Sequence, residues 1–297
     1  MSVQTFQGTM PALVTPFTAD NQVNATVLRE LIDFFLAKRV NGFYLCGSNG
    51  EGAFMSAAER ELVVETVAAS VNGRVPLIVH VGAAANTEAT RLAQHARAHG
   101  AVGVSSILPP VIYDQRGIVA YYENIAASVP DLPFYPYLFG GTRDAVALLR
   151  DIAHIPNLGG AKYTGPNMYE MRQIIALHEH DWTVFAGMDE QVLFALMFGS
   201  TANIGSTVNL FPGAFVELHR CYHAGEWSRA LDIQKRINGV IETLYSFGFA
   251  GAWKTTFQFL GFDCGRPRVP NLPLPENKRA ELRAALQAVG FFDLAAM

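Results

Sequence analysis

Lys162 stands in the segment "NLGGAKYTGPN" (157–167) and is the only lysine between Lys38 and Lys235. An ammonium in an apolar strand is costly to desolvate. Its presence calls either for a salt bridge at a solvated strand end or for chemistry that needs an amine there. A desolvated lysine becomes less basic, and its neutral amine attacks a ketone to form a Schiff base, an electron sink for making or breaking a carbon–carbon bond. Such a reaction also needs a proton relay. Tyr135 and Tyr137 lie two apart in one apolar run, so their phenols share a strand face from which protons can pass between lysine, carbinolamine and substrate. Packing is the plainer role for strand tyrosines.

Three further stretches carry polar or ionisable groups. The loop "GSNGEG" (47–52) combines glycines, which let backbone approach a ligand closely, with Ser48 and Asn49, which donate hydrogen bonds to a carboxylate. It is neither a P-loop nor a dinucleotide fingerprint, and a turn that caps a helix explains it equally. Asp189 and Glu190 in "GMDE" either cap the next helix or offer acceptors to a polyol. The pairs His95 and His99, and His219 and His223, have four-residue spacing without the carboxylate pattern of a metalloprotease, so solvated helix faces are expected and no metal is assigned.

These residues are positioned by a regular alternation. Eight short apolar runs, at 9–16, 42–47, 76–82, 102–108, 132–138, 158–163, 183–187 and 202–207, are separated by segments with helical three-and-four spacing. Ser56 and Glu59 form a capping box that marks one helix start. Strands apolar on both faces, each followed by a helix, predict a parallel sheet. Eight units in about 225 residues predict a (β/α)8 TIM barrel over 1–225, and a C-terminal helical extension of two or three helices over 226–297. Active sites of such barrels lie at the C-terminal strand ends, where "GSNGEG", the two tyrosines, Lys162, "GMDE" and "GSTVN" all fall.

With 22 Lys and Arg against 26 Asp and Glu, scattered along the chain, no basic stripe exists for a nucleic-acid backbone. Three widely spaced cysteines fit reduced thiols, and no secretory leader or spanning segment is read, so a soluble cytoplasmic protein is expected.

"GSNGEG", "GGAKYTGPNMYEM", "GMDEQVLFALMFGSTANIGSTVN" and "GRPRVPNLPLPENKRAELRAAL" together resemble the pyruvate-dependent class I aldolase family of dihydrodipicolinate synthase and N-acetylneuraminate lyase, along the whole chain. The resemblance implies an imine between pyruvate and Lys162. It implies that Ser48 and Asn49 hold the pyruvate carboxylate, and that a tyrosine ending the fifth strand shuttles protons. That tyrosine is assigned to Tyr137, four residues after Pro133; Tyr135, whose spacing to the lysine fits the family better, is the alternative. Similarity to the lyase branch implies that Gly187, Asp189, Glu190 and Ser206 bind a hydroxylated sugar-acid tail and that Thr164 lies by the reacting hydroxyl. It also implies keto acid and aldehyde substrates, and a homo-oligomer, tetramer or dimer.

No cofactor or metal is implied, because the protonated imine supplies the electron withdrawal. A dihydrodipicolinate synthase or 2-keto-3-deoxy-sugar-acid aldolase is the alternative suggested by Arg143, and a non-catalytic keto-acid-binding barrel the alternative suggested by Asn49. Asn49 stands where the family usually has threonine, Tyr137 is followed by Leu-Phe-Gly-Gly, and the loop "PPVIYDQRG" is short, with Tyr113 its only candidate for an aromatic lent across subunits.

Overall fold

The computed structural model describes residues 6–108, 114–139, 144–179 and 181–297. The elements alternate as β1 (Gly8–Pro11), α1 (Ala25–Ala37), β2 (Phe43–Leu45), α2 (Ala57–Val71), β3 (Leu77–His80), α3 (Asn86–Ala98), β4 (Gly103–Ile107) and α4 (Gln115–Ser128). They continue as β5 (Phe134–Phe139), α5 (Ala145–Asp151), β6 (Gly160–Thr164), α6 (Met168–Leu177), β7 (Thr183–Ala186), α7 (Val192–Met197), β8 (Ala202–Gly205) and α8 (Pro212–His223).

All eight strands pair in parallel in one sheet of order β1-β8-β7-β6-β5-β4-β3-β2. The parallel bridge Ala12 to Tyr44 brings β1 back to β2, so the sheet rolls into a (β/α)8 barrel. Strands are shorter than the apolar runs because β pairing stops where each chain turns into its loop: the run at 9–16 contributes only Thr9, Met10 and Pro11 to β1. The Ser56–Glu59 capping box is present in both directions at the start of α2.

The core has two parts. A large cluster fills the space between barrel and helices, while Phe6, Met10, Tyr44, Ile78, Tyr135 and Phe185 pack inside the barrel. Interior packing of this kind closes the lumen, so only the mouth can hold a ligand.

Four α-helices follow the barrel, more than the two or three expected: α9 (Trp227–Ser246), α10 (Phe249–Phe259), α11 (Arg279–Ala288) and α12 (Phe291–Ala296). The fourth is a six-residue segment anchored by buried Phe291 and Leu294, too short for periodicity to reveal. No helix among the described residues is long and apolar enough to cross a membrane.

Candidate active site

Strand register decides how Lys162 is surrounded. Lys162 on β6 is the register partner of Tyr137 on β5 and of Phe185 on β7, and it is only 5% exposed. Its Nζ lies 4.0 Å from the Tyr137 ring centre and 4.6 Å from that of Tyr44. Cation–π contacts of this kind partly replace lost hydration without an anion to pin the amine. The rim salt bridge, the simplest use for a strand lysine, is not found among the described residues.

Tyr135 and Tyr137 share a face, as their spacing requires, but differ in depth. Tyr135 is wedged edge-on between Phe6 and Phe185 in the barrel interior. Its buried hydroxyl has no hydrogen-bond partner among the described residues, and burial pushes its phenol above the ordinary range. Tyr137, two residues nearer the mouth, lines a cavity of about 330 Å³ together with Lys162. His80 packs edge-on at 6.5 Å from the Tyr137 ring and accepts the Ile107 N–H at Nε2. Burial, with Arg60 and Lys162 nearby, keeps its pKa well below the usual value, so it faces the tyrosine as a neutral ring.

The cavity also brings together Ser48, Asn49, Thr164, Gly187, Asp189, Glu190 and Ser206. The Asn49 amide donates to Ser206 Oγ at 2.5 Å, joining the loop after β2 to the end of β8. Two glycines make room for polar groups. A Cβ at Gly187 would lie 1.9 Å from Thr164 Oγ1, and one at Gly205 would lie 1.6 Å from Asp189 Oδ1. Thr164 Oγ1 and Asp189 Oδ1 are buried without partners among the described residues, an unusual state for polar atoms that a ligand can relieve.

Asp189 does not cap the following helix. Its Oδ2 accepts from the Thr207 N–H at 2.6 Å and the Thr207 hydroxyl at 2.7 Å, and burial raises its pKa to about 6 against the opposing effect of those bonds. The turn that carries Asp189 and Glu190 is held from the extension: Gln234 Nε2 on α9 donates to the Asp189 carbonyl, and Asn238 Nδ2 to that of Glu190.

The loop 47–52 has its own anchor. Glu51, in the left-handed region at φ 55°, pairs with Lys254 of α10 at 2.6 Å, both side chains almost fully buried. Its second oxygen accepts the Arg268 N–H at 2.6 Å.

Residues 5–289 match the model of the Dihydrodipicolinate synthetase family. The chain belongs to that family. It is 33% identical over 290 residues to an N-acetylneuraminate lyase of Rhizobium meliloti (strain 1021), with 95% of each chain covered. It is 31% identical to an N-acetylneuraminate lyase of Citrobacter koseri, covering 95% of this chain and 96% of the relative. The solved Proteus mirabilis N-acetylneuraminate lyase superposes with a TM-score of 0.91 at 30% identity, covering 97% of this chain and all of the other. The dihydrodipicolinate synthetase family fold, a barrel with a helical extension, is therefore the fold of this chain, which is a pyruvate-dependent class I aldolase.

Within that family fold, every site residue named from the sequence lines the one cavity, except that Tyr135, the alternative to Tyr137, lies below it. Arg143 and Tyr113, the residues that bear on the synthase reading and on a shared subunit site, lie outside the described residues.

Sequence reasoning missed Thr207, which holds Asp189, and the cavity wall formed by Ile241, Tyr245 and Phe249 of the extension. Thr207 directly follows Ser206 and was within reach of the same motif. Nothing in the helical tail marks Tyr245. His219 is not on a solvated face as expected: it is buried, its Nε2 bonded to Asn203 Oδ1 at 2.9 Å beneath α8. Burial lowers its pKa to about 3.

Proposed function

We propose that the protein reversibly cleaves a 2-keto-3-deoxy sugar acid, N-acetylneuraminate-like, to pyruvate and an aldehyde. Lys162 Nζ, as the neutral amine, attacks the C2 carbonyl; the carbinolamine hydroxyl leaves as water with the proton of the Tyr137 phenol, giving a protonated imine beside a tyrosinate. Tyr137 takes the proton of the C4 hydroxyl as the C3–C4 bond breaks, and the bond's electron pair moves into the imine to form an enamine. The aldehyde departs, the enamine is protonated at C3, and hydrolysis returns the amine and pyruvate. Ser48 and Asn49 orient the C1 carboxylate, Thr164 sits by the C4 hydroxyl, and Gly187, Asp189, Glu190 and Ser206 receive the hydroxylated tail.

The observation that carries this reading is the placement of Lys162 against the Tyr137 ring at one side of a cavity that also holds Asp189 and Glu190. Acceptors are what a polyol needs, whereas a second carboxylate, as on a synthase substrate, would be repelled by them. Pyruvate offered with N-acetylmannosamine and with aspartate semialdehyde tests it. Preference for the amino sugar is expected, and preference for the semialdehyde would overturn the lyase reading.

We also infer a cytoplasmic homo-oligomer, tetramer or dimer, that needs no cofactor beyond the imine. Phe194, Met197 and Phe198 around α7 and Trp227 at the start of α9 are 41–56% exposed, an apolar surface suited to a second copy. Cys46, Cys221 and Cys264 are buried and free, as suits a reducing compartment. Light scattering that gave a monomer at working concentrations would contradict the assembly.

A further inference from the structure

His95 and His99 lie one turn apart at the end of α3, and their missing carboxylate comes from another helix. Glu65 of α2, thirty residues earlier in the chain, places Oε1 3.0 Å from His95 Nε2 and 3.9 Å from His99 Nε2. The two imidazoles stack with centroids 4.1 Å apart. One ligand atom from each of the three residues falls within 4.8 Å of the others. Ligand atoms around a tetrahedral zinc, bonded at about 2.0–2.2 Å, stand roughly 3.3 Å apart, a value that the two measured separations bracket.

A second observation fixes the chemistry of His99. Its Nδ1 lies 2.9 Å from the His95 carbonyl, which can only accept, so Nδ1 carries the proton. In that tautomer the Nε2 lone pair of His99 faces Glu65. Donation from the non-ligating ring nitrogen to a backbone carbonyl is the orienting bond that metal-binding histidines use.

The neighbouring pair Arg91–Glu61, at 2.6 Å, bridges the same two helices one turn away, so the facing rows of α2 and α3 are already in register. Glu65, Glu61, Arg91 and His99 all reach solvent, so an ion can enter without opening the fold.

We propose that Glu65, His95 and His99 form a surface site for a borderline transition-metal dication, of the zinc, nickel or copper class, that staples α2 to α3. On binding, His95 Nε2 releases its proton to solvent, the ion takes three protein ligands, and water fills the remaining position. Calcium and magnesium prefer oxygen ligands and would bind far more weakly. The site lies towards the end of α3, away from the C-terminal strand ends that carry the aldolase residues, so it acts on the helical layer and not on the reaction.

Titration calorimetry of untagged, chelator-treated protein with zinc chloride at mildly alkaline pH tests this. One saturable site per chain is expected, with a raised melting temperature in the presence of zinc. Each of His95→Gln and His99→Gln should weaken it at least tenfold, while both variants keep the zinc-free melting temperature and pyruvate imine formation of the parent. A cobalt-loaded sample should show a nitrogen and oxygen ligand spectrum, separating this site from binding at a cysteine. Absence of saturable zinc binding, or binding unchanged in both variants, would overturn the proposal and leave His95 and Glu65 as an ordinary hydrogen-bonded pair.

Discussion

Tyr137 and Lys162 are register partners on adjacent strands, and the lysine ammonium lies 4.0 Å from the centre of the tyrosine ring. In the proposed reaction, the amine that captures the carbonyl and the phenol that moves protons are thus both held on barrel strands.

Tyr137→Phe keeps the ring under the ammonium and removes only the hydroxyl. It should lower kcat by about a hundredfold to ten-thousandfold, the usual contribution of general acid–base catalysis. Imine formation with pyruvate should survive to a measurable extent. Tyr135→Phe removes a buried hydroxyl that has no partner among the described residues, so activity should stay near that of the parent. Steady-state kinetics of the two variants checks both, and the reverse ranking would make Tyr135 the shuttle.

Asn49 reaches Ser206 through its amide, a span that the shorter threonine side chain would not cover. Asn49→Ala should raise KM for pyruvate by about tenfold to a hundredfold, the equivalent of losing a hydrogen bond to a charged group at about 1.5–3 kcal/mol. Asn49→Thr should restore much of that binding and, by supplying a hydroxyl able to pass a proton, raise kcat above that of the alanine variant. Identical KM values in all three proteins would show that residue 49 does not touch the carboxylate.

Asp189 has a folded pKa of about 6 against an ordinary 3.8, the result of burial. Because the shift is upward, folding favours its protonated form. The stabilisation it gives is complete below the unfolded value and is lost as pH rises through the folded one. Relative to Asp189→Asn, the parent should therefore lose on the order of 3 kcal/mol of stability across that window, seen in denaturant midpoints. The same titration should give kcat/KM for a polyhydroxylated substrate an acidic limb near 6, absent from the variant, since only the ionised group accepts freely from hydroxyls. A parent and variant with parallel pH profiles would contradict both expectations.

Glu51 and Lys254 form a buried pair across 203 residues of chain, tying α10 to the loop that carries Ser48 and Asn49. Lys254→Met strands a buried carboxylate and should cost about 3–5 kcal/mol. Adding Glu51→Gln removes the uncompensated charge and should return most of that loss. The single variant should also raise KM for pyruvate, because the carboxylate loop loses its anchor. Chemical denaturation of the single and double variants checks the cycle, and simple additivity of the two substitutions would contradict it.

The barrel was legible because its signal is local. Each strand overlaps a short, largely apolar run, the segments between carry helical three-and-four spacing, and Ser56 with Glu59 announces a helix start within four residues. That the proposed site residues would gather at one mouth was legible because they sit at strand ends in motifs a few residues long. Depth was not: alternation puts Tyr135 and Tyr137 on one face, and only the closed lumen, with Phe6 and Phe185 packed around Tyr135, separates core from cavity.

Contacts across the chain were equally hidden. Tyr245 and Phe249 reach the mouth, and Lys254 reaches Glu51, only because α9 and α10 fold back over the C-terminal strand ends. His219 looked like a surface helix residue, but its face of α8 turns inward onto Asn203.

Incubation with pyruvate and borohydride, followed by peptide mapping, tests the central claim most directly. The imine of Lys162 should be reduced to a stable secondary amine, heavier than the parent by the mass of pyruvate less one oxygen atom, and the adduct should vanish in Lys162→Ala. An unmodified Lys162, or an adduct at Lys254 in its place, would contradict the assignment of the reacting amine.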